Sequence, residues 1–473
     1  MKNSKRIALF AGLIFLLVLP HWPSRGQTRT AAKRPNVLFL FADDMRADSL
    51  GALGDKTVKT PNLDAVARRG FVMTNAYCLG GNSGAVCTPS RNMLLSGKTY
   101  FRWRDFTPPN QPNQKGLLSP GDGPNFPLTL RDAGYMTYHH GKRGNTAPLI
   151  QAKFDINKYL KDDLADRTEG EPGKQIVDEA IAFLNEKRDE RPFFMYLAFG
   201  NPHDPRVAAK KYMDMYDRGK LPLPPNFKPQ HEFDNGEMLV RDERLSPWPR
   251  TAAEMQKTWH EYYATITGLD FQIGRLLQTL KELKLEENTM IVFSADQGIA
   301  IGSHGLLGKQ NLYDHSMKSP LFFAGPGIPR GRSDALVYLL DIYPTIADLV
   351  GAPLPQGPPG IDGVSFKPVL TGRAKQARRE LMLAYREVQR AYRDERWKLI
   401  RYPQVNVTQL FDLRTDPFEL RNLAGDPAQA QRVAQMTAKL QQQQQRLGDT
   451  LPLTVTSPQP AAFTPPAGGP PKN

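Results

Sequence analysis

The sequence predicts an α/β fold, a large and mostly parallel sheet sandwiched by helices, followed by a smaller C-terminal α+β subdomain. Three observations carry that expectation. Uninterrupted apolar runs recur at Asn36–Ala42, Phe193–Ala198 and Met290–Phe293, with a shorter one at Leu321–Phe323. Runs without polar alternation mark strands buried on both faces, as the strands of parallel sheets are. Amphipathic helical segments lie between these runs, and past residue 375 short strand-like runs precede a last helix.

Taken in order, residues 1–27 read as a signal peptide. Lys2, Lys5 and Arg6 precede an apolar run from Ile7 to Leu19 and a polar tail from Pro20 to Gln27. That run is short for a bilayer span, and nothing later resembles one. The expectation is a periplasmic or secreted protein with no stable membrane anchor. The main domain is expected over 34–370, the C-terminal subdomain over 375–450 and a disordered Pro-rich tail over 451–473.

Within the main domain, Thr60-Pro61-Asn62 opens a helix that Gly70 stops, with Leu63, Val66 and Ala67 as its apolar stripe. Gly173–Glu186 repeats the pattern. Trp259–Leu283 is the longest, with Ile266, Leu269, Ile273 and Leu280 at helical spacing. Pro222–Pro249 is rich in Pro and charge and reads as a long surface loop placed to form a substrate wall. In the C-terminal part, Leu381–Tyr385, Trp397–Tyr402 and Gln409–Leu413 read as strands, and Asp426-Pro427 starts a helix.

The chain holds 62 Lys and Arg against 48 Asp and Glu, a net charge of +14. An anionic partner follows from that balance. No nucleic-acid reading module or dense basic helix accompanies it, so nucleic acid is not expected. The two cysteines, Cys78 and Cys87, are too few for a disulfide-dependent scaffold.

Chemistry-bearing residues cluster just beyond the strand-like runs, where open α/β sheets bind ligands. Asp43-Asp44 follow the first run, Asn201-Pro-His-Asp-Pro205 the second and Asp296-Gln-Gly298 the third. Cys87-Thr-Pro-Ser-Arg91 begins a short helix that ends near Gly97, with Arg91 near its start. Taken alone, Asp43-Asp44 reads equally as a helix cap or turn, and no His or Cys cluster suggests zinc.

These motifs, with Thr60-Pro-Asn-Leu-Asp64, Gly308-Lys309, Leu410-Phe-Asp-Leu413 and Asp416-Pro-Phe-Glu-Leu-Arg-Asn-Leu423, stand in the order of the type I sulfatase family. The resemblance covers roughly residues 34 to 425 and places the chain in the alkaline-phosphatase-like superfamily. It implies that Cys87 is converted by a formylglycine-generating maturation enzyme to formylglycine, whose hydrate attacks a sulfate ester. It implies a divalent metal, calcium before magnesium, held by Asp43, Asp44, Asp296, Gln297 and the modified Cys87. Arg91 is implied to hold the nucleophile's loop, Lys142 and Lys309 to bind sulfate, and His203 to stand by the leaving oxygen.

One stretch departs from the family pattern. An aromatic and a histidine are expected after the lysine, but this chain reads Lys142-Arg143-Gly144-Asn145. The positioning histidine is either absent or replaced by His140 or Asn145, and His304 and His315 are further candidates for the site. Arg102, Trp103 and Arg104 follow the nucleophile's helix, as sugar contacts or as a loop anchored by a packed Trp. The expected reaction is hydrolysis of a sulfate ester on a sulfated carbohydrate. The alternatives are a phosphoester or phosphonate-ester hydrolase and a non-catalytic carbohydrate-binding relative.

Overall fold

The computed structural model describes residues 34–103, 119–187, 189–355 and 360–466. The strands run β1 (Asn36–Ala42), β2 (Phe71–Tyr77), β3 (Gly80–Gly81), β4 (Met136–Gly141), β5 (Ile156–Tyr159), β6 (Phe193–Ala198) and β7 (Thr289–Ala295). They continue through β8 (Lys318–Ser319), β9 (Leu321–Ala324), β10 (Gly331–Tyr338), β11 (Leu381–Tyr385), β12 (Gln389–Arg393), β13 (Trp397–Tyr402) and β14 (Val407–Asp412). The signal-peptide expectation and Arg104 fall outside the described residues.

The larger sheet has the order β10-β2-β9-β7-β1-β6-β4-β5, with β8 added on β2. From β7 to β5 every pairing is parallel, and β9 is the antiparallel insertion. All seven residues of β1 are buried, because helices cover both faces of the sheet. Leu38 and Leu40 pack against Leu63, Ile176, Leu269 and Ile273 on one side. Phe39 and Phe41 pack with Leu94, Phe126, Tyr343 and Ile346 on the other. The period of two along the strand thus feeds two separate cores.

The helices Pro61–Arg69 and Lys174–Glu186 lie close to their expected bounds. The long helix does not: it runs Ala252–Glu282 and starts seven residues before Trp259. A capping box sets that start, with Thr251 accepting from Glu254 N and Glu254 reaching back to Thr251. The Pro222–Pro249 stretch buries His231, Phe233, Met238 and Glu243, so it is a packed part of the body.

In the smaller sheet β11 to β14 pair antiparallel in sequence order. β3 extends it in parallel, Gly80 opposite Ala384 and Gly81 opposite Tyr385. Because β3 lies just ahead of Cys87, the C-terminal sheet directly supports the loop that leads to Cys87. Gly80 fits there for a steric reason: its φ is +112°, which favours glycine, and a Cβ would meet Ala384 O at 2.0 Å.

The expected disorder from residue 451 does not hold for residues 451–466. Leu453 is buried, Phe463 meets Trp248 edge-on at 5.7 Å, and Asp234 N donates to Ala461 O at 2.7 Å. A Pro-rich segment can lie against a surface without regular structure if a few apolar side chains find pockets, as these two do. Among the described residues no helix is long and apolar enough to cross a membrane.

Candidate active site

The C-terminal ends of β1, β4, β6 and β7 deliver most of the site. Asp43 and Asp44 follow β1 at once, Lys142 follows β4, and Asp296 and Gln297 follow β7. Asp44 turns the chain at a φ of 60°, a left-handed conformation uncommon outside glycine. Its amide donates to Asp296 Oδ1 at 3.0 Å, and the Tyr262 hydroxyl donates to its carbonyl at 2.9 Å. These bonds hold the strained turn. Tyr262 comes from the long helix, and its part here was not legible in the sequence.

Cys87 is the first residue of the helix Cys87–Ser96 and is fully buried. Its thiol donates to Asp43 Oδ1 at 3.1 Å and accepts from Gln297 Nε2 at 3.1 Å. Gln297 Nε2 also donates to Asp44 Oδ1 at 2.7 Å. Single ligand atoms of Asp43, Asp44, Cys87 and Asp296 all lie within 4.8 Å of one another. Cys78 is a separate buried thiol, and neither cysteine forms a disulfide.

Cations close the centre. Arg91 Nε donates to Asp296 Oδ2 at 3.0 Å and its NH2 lies 3.8 Å from Asp43 Oδ2. Lys142 pairs with Asp43 Oδ2. Lys309 donates to both oxygens of Asp44 at 2.8 Å. His203 Nε2 stands 3.8 Å from Asp44 Oδ2. Arg91 is one turn into its helix and wholly buried, so it braces the carboxylates; the orphan amides at the helix start are not its partners.

Burial sets the protonation states, and charge decides their direction. Burial alone would raise Asp43, but Lys142, His203 and Arg91 outweigh it and hold the carboxyl well below its usual range. Asp296 is pushed up to about 7, by burial and then by Asp43. Burial pushes the Cys87 thiol well above its ordinary value, and Asp296 and Asp43 push it further. Such a cysteine stays protonated and is a poor nucleophile as it stands.

The donor set fits a hard divalent cation. Three carboxylates converge, and the buried Gln297 Oε1 has no hydrogen-bond partner among the described residues. All of these are oxygen donors of the kind calcium and magnesium take.

Several expected residues lie elsewhere. His140 faces Glu179 and Lys158 on the outer side of β4, where burial lowers it to about 4. Asn145 is exposed. His304 and His315 belong to a buried stack with Tyr313, the rings of His304 and Tyr313 4.0 Å apart. Trp103 is buried, and Arg102 pairs with Asp362, so this segment is an anchored loop. Three residues without a sequence signal do reach the site. Arg167 NH1 is 3.1 Å from His203 Nδ1, Asp163 binds the loop after Lys142, and Asp242 accepts from Gln310 at 2.8 Å beside Lys309. They sit on loops and a short helix with no motif around them.

Comparison with known proteins places this geometry. The sulfatase family model matches residues 35–352, and a model of the C-terminal region of N-sulphoglucosamine sulphohydrolase matches residues 302–446. The choline-sulfatase of Rhizobium meliloti is 28% identical, covering 83% of each chain. The N-acetylglucosamine-6-O-sulfatase of Bacteroides thetaiotaomicron is 26% identical over 89% of this chain and 88% of its own. A structure solved with D-glucosamine-2-N,6-O-disulfate superposes with a TM-score of 0.72 at 23% identity, over 89% of this chain and 99% of its own. The phosphonate monoester hydrolase of Agrobacterium radiobacter also superposes with a TM-score of 0.72 at 23% identity, over 88% and 96%. The chain thus belongs to the sulfatase family of sulfuric ester hydrolases, on the alkaline-phosphatase-like fold.

Proposed function

We propose that this protein hydrolyses a sulfate ester on a sulfated carbohydrate to the alcohol and inorganic sulfate, after Cys87 has been converted to formylglycine. The observation that carries this reading is the place of Cys87: its sulfur lies 3.1 Å from Asp43 Oδ1 and from Gln297 Nε2, inside a ring of buried cations. Left as a thiol it is held neutral by burial and two carboxylates. A hydrated aldehyde at that position supplies two hydroxyls on one carbon, one to attack sulfur and one whose deprotonation expels sulfate.

Asp43, Asp44, Asp296 and Gln297 would hold a divalent metal, calcium in preference to magnesium, together with the modified residue 87. That ion would supply positive charge to the sulfate oxygens. Lys142 and Lys309 would add their charges to the same anion, and Arg91 keeps Asp296 and the nucleophile's helix in register. His203, with Nε2 turned to Asp44, would donate a proton to the departing alcohol. The signal-like N-terminus, the net charge of +14 and the sugar-sulfate relatives support a periplasmic or secreted enzyme acting on sulfated glycans. A formylglycine-generating enzyme is its required partner.

The likeness to a phosphonate monoester hydrolase gives the competing reading a definite form. Protein produced with the maturation enzyme and calcium is assayed on matched sulfate, phosphate and phosphonate esters of one alcohol. Faster turnover of the sulfate is expected. Faster turnover of the phosphonate or phosphate would replace this reading, and no turnover with sugar binding retained would favour a non-catalytic relative.

A further inference from the structure

The short helix Asp163–Thr168 is tied to the site twice. Asp163 accepts from Arg143 N at 2.7 Å and from Gly144 N at 2.6 Å, which fixes the loop after Lys142. One turn on, Arg167 NH1 lies 3.1 Å from His203 Nδ1 and donates to Asp204 O at 2.8 Å, while Nε donates to Asp163 O at 3.0 Å.

Arg167 differs from the cations around it. Lys142, Lys309, Arg91 and Arg241 are each paired with carboxylates. Arg167 has no ion pair among the described residues, and neither does the exposed Arg143. Two described acids whose backbone carbonyls Arg167 contacts, Asp163 and Asp204, are already committed. Asp163 spends both oxygens on backbone amides, and Asp204 gives both of its oxygens to Arg241. Arg167 is half-buried, so its charge is partly stripped of water with no ion-paired acid among the described residues. Its planar guanidinium suits the oxygens of a carboxylate or sulfate.

We propose that Arg167 determines specificity by binding a second anionic group of the substrate, a sulfate or carboxylate on the same sugar as the ester to be cleaved. The inference rests on the proposed function, in which the ester lies at residue 87 with its leaving oxygen toward His203. A group on the leaving alcohol then comes beside Arg167, and Arg143 adds a second cation on the adjoining loop.

The test measures binding and turnover separately. Calcium-loaded Cys87→Ala protein is titrated by calorimetry with N-acetylglucosamine 6-sulfate against D-glucosamine-2-N,6-O-disulfate, and with N-acetylgalactosamine 4-sulfate against its 4,6-disulfate. In at least one pair the doubly charged sugar binds about tenfold tighter or more, as one charge-assisted contact allows. Adding Arg167→Ala removes that ratio, and Arg167→Lys keeps part of it. In matured enzyme, Arg167→Ala raises KM for the disulfate by about tenfold more than for the monosulfate. Equal affinities within every pair, a ratio that survives Arg167→Ala, or parallel losses on both sugars would overturn the proposal. Failure of the underlying reading looks different: a binding preference that depends on Arg167 without turnover of any sulfate ester.

Discussion

Lys309 sets its ammonium against both carboxylate oxygens of Asp44, at 2.8 Å from each, in a part of the protein closed to water. Burial would lower the lysine, but Asp44, Cys87 and Asp242 together raise it well above its ordinary value. It is therefore a permanent charge. Lys309→Ala is expected to lower kcat/KM on a sulfate ester by about a hundredfold or more, the usual cost of removing a preorganised charge. Steady-state kinetics on matured protein check this, and a loss below tenfold would place Lys309 outside the reacting centre. Lys309→Arg should not rescue, because a planar fork cannot fill the point-charge position.

Gly298 predicts a different failure. A Cβ built there meets His315 O at 2.1 Å and Lys318 O at 3.2 Å, and its amide donates to Ser316 O at 2.8 Å. The clash is with backbone, which has little room to yield. Gly298→Ala should cost about 2 kcal/mol or more and displace the neighbouring Gln297. Thermal unfolding with and without calcium reads both effects: a lower Tm, and a smaller calcium-induced rise than in the parent. An unchanged calcium response would separate Gln297 from the metal.

Asp270 carries a pH-dependent share of the stability. From the long helix it accepts from Asn62 N at 3.1 Å and Leu63 N at 2.7 Å, and so caps the helix Pro61–Arg69, whose own Thr60 makes no capping bond. Burial pushes its carboxyl up to about 6, against the pull of those amides. A raised acid is charged at a cost above its folded pKa and gains protons on folding below it. Its contribution to stability therefore falls as pH rises from about 4 to about 7 and is level beyond, a span of the order of 3 kcal/mol. The stability difference between the parent and Asp270→Asn, followed by denaturant melts across that range, should show that slope. A flat difference or the opposite slope would contradict it.

How much could be read from the sequence follows from where each signal lies. β1, β6 and β7 are buried on both faces, and their apolar runs declare them. β2 and β4 contain Thr74, Asn75, His139 and His140, and such mixed composition hid them. The start of the long helix was missed because its first turns are polar and only the Thr251–Glu254 cap marks them. At the site, residues directly after strands stand in contiguous motifs, so Asp43, Asp44, Asp296 and Lys142 were legible. Asp163 and Arg167 arrive from one short helix and Tyr262 from the long one, and only tertiary folding brings them there. The tail misled for a related reason: its composition is that of a disordered segment, while Leu453 and Phe463 settle on the surface.

In the proposed reaction residue 87 acts as formylglycine, and the mass of its peptide tests this most directly. Protein made with and without the maturation enzyme is digested, the peptide containing residue 87 is weighed by mass spectrometry, and sulfate release is measured on the same samples. The expected result is an aldehyde in place of the thiol, in a fraction that tracks specific activity, with none of either in Cys87→Ala. Full activity in protein whose residue 87 is entirely unmodified cysteine would contradict the account.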